Sequence, residues 1–68
     1  MDKNQHVVPR GARWAVRGAG NRRATRLFDT KSKAVAHGRE IARRRGGELV
    51  IHGADGRIRA KRSYGRAP

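Results

Sequence analysis

Hydrophobic and polar positions along this chain change period twice, and the changes mark out its elements. The first stretch, "QHVV", reads as a short strand that stops at Pro9, so the pattern predicts a strand that ends there or lies at a sheet edge, because proline donates no ladder bond. "PRGAR" is turn chemistry. "RWAVRG" then alternates with period two, placing Trp14 and Val16 on one face and Arg13, Ala15 and Arg17 on the other. "GAGN" predicts a second turn, and "RRATRLF" a third strand with Thr25 and Leu27 on one face and Arg26 and Phe28 on the other.

The period then lengthens. Ala34, Gly38, Ile41, Ala42 and Arg45 recur at helical spacing within "DTKSKAVAHGREIARRRGG", a stripe of small residues around Ile41 that allows close approach to a sheet. Asp29 or Thr30 is placed to cap the first turn, and Gly46 or Gly47 to end the helix in the left-handed conformation. Alternation returns in "ELVIH" and "RIRAKRS", separated by "GADG", in which Ala54 and Asp55 suit a type I turn and Gly56 the αL position after it. These elements predict an α+β fold, a small antiparallel sheet in the order β-β-β-α-β-β with one helix on one face. The expected core is Val7 or Val8, Trp14, Val16, Leu27, Ile41, Leu49, Ile51 and Ile58. The expected domain runs over residues 5–64, between a disordered 1–4 and a flexible tail at 65–68, with Tyr64 placed to pin the tail.

Charge changes this picture from fold to function. Lys plus Arg number 18 against 5 acids, for a formal charge of +13, and only Lys3, Lys31, Lys33 and Lys61 are not Arg. Such an excess attracts polyanions through its field alone, and the planar guanidinium fork suits phosphate oxygens. Once the buried set faces the helix, alternation sends Arg13, Arg17, Arg26, Arg57, Arg59 and Lys61 to the opposite face, with Phe28 among them. Arg43 and Arg44 are candidate outer contacts, although cations in a last helical turn also stabilise the helix without any ligand. The expected function is therefore phosphate contact with nucleic acid, DNA ahead of RNA, with little sequence preference. The alternative is an accessory module that recognises an acidic protein. Exposed aromatics are too few for a base-stacking platform.

The remaining chemistry is sparse. Asp2, Asp29, Glu40, Glu48 and Asp55 are scattered, no nucleophile stands at readable spacing from a base, and no phosphate-binding loop motif occurs, so no enzyme, no catalytic residue and no cofactor is expected. His6 and His52 could meet across neighbouring strands, but two histidines without a third ligand make a thin metal site, and none is assigned. There is no cysteine, no apolar leader at the start and no run near ~20 apolar residues, which fits a cytoplasmic protein without a membrane partner. A chain of 68 residues buries a thin core, so a homodimer is one route to enlarging it.

"HVVPRGARWAV", "DTKSKAVAHGREIA" and "GELVIHGADGRIRAKRSYG" together resemble a bacterial family of short proteins, domain of unknown function 2188, over about His6 to Gly65. The most specific piece is the Ile-His-Gly-x-Asp-Gly-x-Ile run at 51–58 followed by Ser63-Tyr64-Gly65. Lys31 and Lys33 depart from the more acidic helix opening of relatives. The resemblance implies a compact domain and no settled activity. A looser likeness of arrangement, over residues 12–45, is to the plant-type three-stranded DNA-binding domains and the hybrid-binding domain of some ribonucleases H.

Overall fold

The structure, a computed structural model, describes residues 4–18 and 26–65. Within them the chain forms β1 (Gln5–Arg10), β2 (Arg13–Gly18), β3 (Arg26–Phe28), α1 (Lys31–Arg45), β4 (Glu48–His52) and β5 (Ile58–Ser63). The five strands make one sheet in the order β3-β2-β1-β4-β5, with α1 against one face. The architecture is α+β in the expected element order. The sheet, however, is mixed. β1 and β4 run parallel, with Gln5 opposite Leu49 and Val7 opposite Ile51, and the other three pairings are antiparallel. The stretch from β2 to α1 supplies the long crossover that a parallel pair requires.

That topology corrects the expectation for the first strand. β1 is the middle strand of the five, not an edge. Pro9 is tolerated there because the ladder to β4 ends at the Val7–Ile51 pair, and Pro9 lies beyond it, opposite Trp14 of β2. The segment 19–25, which includes most of the predicted "GAGN" turn and the start of the predicted third strand, lies outside the described residues. So do residues 1–3 and 66–68 of the predicted termini, whereas the Asn4 Oδ1 accepts a hydrogen bond from the Glu48 amide at 2.9 Å.

The helix is set by its caps and by its small stripe. The Thr30 hydroxyl accepts from the Lys33 amide at 3.2 Å, which satisfies one of the orphan donors of the first turn. At the other end Gly46 adopts φ 69°, and the Gly46 and Gly47 amides return to the carbonyls of Arg43 and Ala42, a Schellman closure. Ala34, Gly38 and Ala42 are buried against Val7, Val16 and Leu49, and Trp14, Phe28, Val35, Ile51 and Tyr64 pack around that centre. Each large aliphatic side chain buried here contributes about 1.5–3 kcal/mol. The Tyr64 amide donates to the Gly47 carbonyl at 2.9 Å, which fixes the end of β5 to the end of the helix.

Two expected core residues are on the other side of the sheet. Leu27 pairs with Ala15, and both point away from the helix. Leu27 is 47% exposed. Ile58 is 56% exposed because the ladder between β4 and β5 shifts between Ile51 and His52: Ala60 opposes Ile51, but Ile58 opposes His52. One extra residue, Arg59, is accommodated there, and every side chain before it changes face. Conversely, Ala15 and Val50 lie on the helix-free face and are nevertheless 0% and 5% exposed. Among the described residues no helix is long and apolar enough to cross a membrane.

Candidate functional site

Strand pairing fixes what the helix-free face displays. Partners in register share a face, so Arg17, His6, Val50 and Lys61 form one row across β2, β1, β4 and β5. The neighbouring row runs Leu27, Ala15, Val8, then His52 and Ile58. Arg10 and Arg13 face each other beside it, joined by the two-residue Gly11–Ala12 loop. At about 4.8 Å per strand, Arg17 and Lys61 stand about 14 Å apart at the backbone, with His6 and Val50 between them. Cations therefore occupy the rim of this face, and small, apolar and imidazole side chains its centre.

Arg13, Arg17 and Lys61 are where the sequence places them. Arg57 and Arg59 belong to the adjoining hairpin rather than to the flat face. Gly53, Ala54, Asp55 and Gly56 make the expected turn, with the Gly56 amide on the Gly53 carbonyl at 2.9 Å and Gly56 at φ 84°. Asp55 accepts from the Arg57 amide at 3.1 Å and lies 4.0 Å from the Arg57 Nε. The Arg59 side chain crosses Gly53 so closely that a Cβ there would come within 2.6 Å of its Nε.

Arg26 is a correction. Arg26 pairs with Val16, so it faces the helix side, and Phe28 pairs with Trp14 and does the same. The Arg26 guanidinium carbon lies 5.4 Å from the Phe28 ring centre, and the His37 ring of α1 lies 5.2 Å from it. Alternation within β3 groups Arg26 with Phe28 correctly; the error lies in choosing Leu27 as the buried partner. A three-residue strand with no burial contrast gives nothing to choose by. Arg43 and Arg44 are in the last turn of the helix, where the sequence places them, on the surface opposite the helix-free face, and Arg43 is held at 2.8 Å by Glu40. Burial, then the Arg26 charge, then the Arg44 charge, push the His37 pKa below its ordinary value.

Arg10 was missed. Its signal was present: it follows His6 and Val8 at period two, and the strand extends past Pro9 to include it.

At the centre of the helix-free face, His6 and His52 do meet. The His6 Nδ1 and the His52 Nε2 are 3.1 Å apart, with ring centres at 5.3 Å, and the His52 Nδ1 lies 2.9 Å from the Gly56 carbonyl. No group of three or more His, Cys, Asp or Glu that could hold a metal ion occurs among the described residues.

Comparison with known proteins places the chain. The sequence profile of a family described as "Uncharacterized protein conserved in bacteria (DUF2188)" matches residues 5–64. The chain belongs to this family. It is 38% identical over 61 residues to the uncharacterized protein YdaT of Bacillus subtilis (strain 168), a match that covers 90% of this chain and 41% of that protein. The chain therefore spans less than half the length of that relative. No solved structure matches it. Membership brings no activity with it.

Proposed function

We propose that this DUF2188 domain binds nucleic acid by gripping the phosphate backbone with the helix-free face of its sheet. The observation that supports it is the rim of cations, Arg10, Arg13, Arg17 and Lys61, around a centre of small, apolar and imidazole side chains, with Glu48 the one acid on the strand positions of that face among the described residues. A one-sided sheet needs polar groups outward, but mixed charge would serve solubility equally well; a nearly unopposed cationic rim suits a polyanion. The span of about 14 Å between Arg17 and Lys61 is comparable to the ~12 Å width of a B-form major groove, so cations at both ends can reach phosphates on either side of it. Duplex DNA is accordingly favoured over RNA. No base-reading side chain is assigned, so affinity comes with little sequence preference.

The test is direct titration of a labelled duplex with the purified protein, repeated with Arg13→Gln, Arg17→Gln and Lys61→Gln combined. The reading requires binding at low salt that the triple variant weakens. No binding by the parent protein at low salt removes it.

A second reading has its own observation. Leu27 and Ile58 are exposed at the two ends of the Leu27–Ala15–Val8–His52–Ile58 row. An apolar row with a basic rim also suits an acidic protein surface, which would bury both side chains. Leu27→Ser with Ile58→Ser separates the two: phosphate binding survives it, and a protein partner centred on that row is lost.

A further inference from the structure

The register that turns Arg26 off the helix-free face puts it on the side of the sheet that carries α1 and its cations. There α1 carries Lys31, Lys33, Arg39, Arg43, Arg44 and Arg45 against a single acid, Glu40, which is itself engaged by Arg43 at 2.8 Å. Lys33, Arg39, Arg43 and Arg44 are all exposed, and the face of α1 turned to the sheet is occupied by Ala34, Gly38 and Ala42. The domain thus has two cationic surfaces facing away from each other, across a body that measures 40 × 21 × 19 Å.

We infer that the domain bridges two nucleic-acid duplexes, one on the sheet face and one on the helix. This rests on the proposed function and extends it. A duplex has a persistence length of about 50 nm, so one segment cannot fold around a body about 20 Å thick to reach both sides. A duplex on the rim of the sheet leaves Lys33, Arg39 and Arg44 of α1 facing solvent, and a second duplex is a ligand of the same chemistry that matches them. The formal charge of +13 lessens the repulsion between the two polyanions brought together.

The experiment uses the full chain, a duplex immobilised on beads and a second duplex carrying a fluorophore in solution. Protein is added at a salt concentration where single-duplex binding is strong, and the retained fluorescence is read. The parent protein retains the labelled duplex. Lys33→Gln with Arg39→Gln and Arg44→Gln, which leaves the Arg43–Glu40 pair intact, still binds a single duplex within about threefold, since one of two surfaces remains, yet its retention falls at least tenfold. The sheet-face triple variant loses retention as well. Binding of single duplexes without retention of a second overturns the bridge and leaves the proposed function standing. Retention unchanged in the helix variant also overturns it, because two copies joined to each other would then make the link. Failure to bind any duplex overturns both.

Discussion

The His6 Nδ1 lies 3.1 Å from the His52 Nε2, and the order of donors along this pair is fixed by a carbonyl. The Gly56 carbonyl can only accept, so the His52 Nδ1, 2.9 Å from it, carries a proton. In the uncharged ring the Nε2 is then the acceptor, and the His6 Nδ1 donates to it. The pair thereby ties the central strand β1 to the hairpin between β4 and β5. Long-range nitrogen–proton NMR spectra should show the Nδ1–H tautomer at both His6 and His52. A double-mutant cycle with His6→Ala and His52→Ala should give a coupling of about 0.5–1.5 kcal/mol, the ordinary net contribution of one hydrogen bond. An Nε2–H tautomer at His52, or additive variants, would contradict this arrangement.

Gly38 is required for packing rather than for its backbone freedom. A Cβ at that position would stand 2.9 Å from the Leu49 Cδ1 and 3.3 Å from the Val7 Cγ2, and both of those side chains are fully buried. Gly38→Ala gains up to about 1 kcal/mol in helix propensity. Overpacking of this kind costs about 1–3 kcal/mol, so the net expected change is a loss of about 1 kcal/mol. In a domain of this size that lowers the melting temperature by about 4–8 °C. A rise in melting temperature would show that the helix can lift from the sheet without cost.

His37 should make stability depend on pH, with a definite sign. Its pKa in the folded state is lowered from 6.5, by burial first and then by the positive charges of Arg26 and Arg44. Between the lowered value and 6.5 the unfolded chain binds more protons than the folded one, so stability falls as pH drops through that window and is unaffected above it. His37→Gln removes this component. Thermal melts from pH 8 to pH 4 should show a steeper acid-side loss for the parent protein than for the variant. Parallel curves would mean that His37 titrates alike in both states.

Much of the frame could be read from sequence because local signals and the tertiary fold agree. Thr30, Gly46 and Gly56 have roles dictated by short-range chemistry, a side-chain cap and two left-handed positions, and each is found where its neighbours predict it. The small stripe of Ala34, Gly38 and Ala42 likewise announces a closely packed helix. What could not be read is what pairing over long distances decides. Pro9 argued for an edge, and only the end of the β1–β4 ladder explains its place in the middle strand. Ile58 has the alternation of a core residue, and a register shift at His52 turns it outward.

The candidate face was legible to the same extent. Arg13 and Arg17 lie in a strand whose buried side was evident from Val16, Lys61 alternates with the inward Ala60, and all three share the helix-free face. Arg26 lies in a strand of three residues whose buried side depends on its pairing with β2, and it goes to the opposite surface. Arg57 and Arg59 precede or occupy the irregularity in β5, so extrapolating its alternation backwards from Lys61 could not locate them. That Arg26 joins the cations of α1 is knowledge only the register supplies.

Salt dependence tests the central claim most directly. Each phosphate contact on a B-form duplex adds about −0.9 to the slope of log K against log salt, so four contacts from Arg10, Arg13, Arg17 and Lys61 predict a slope near −3.6 for binding through the sheet face. The slope should be measured on the Lys33→Gln, Arg39→Gln, Arg44→Gln background, which isolates that face. Adding Arg13→Gln, Arg17→Gln and Lys61→Gln should bring it to about −0.9. A flat response before those three substitutions, or an unchanged slope after them, would contradict phosphate binding by the helix-free face.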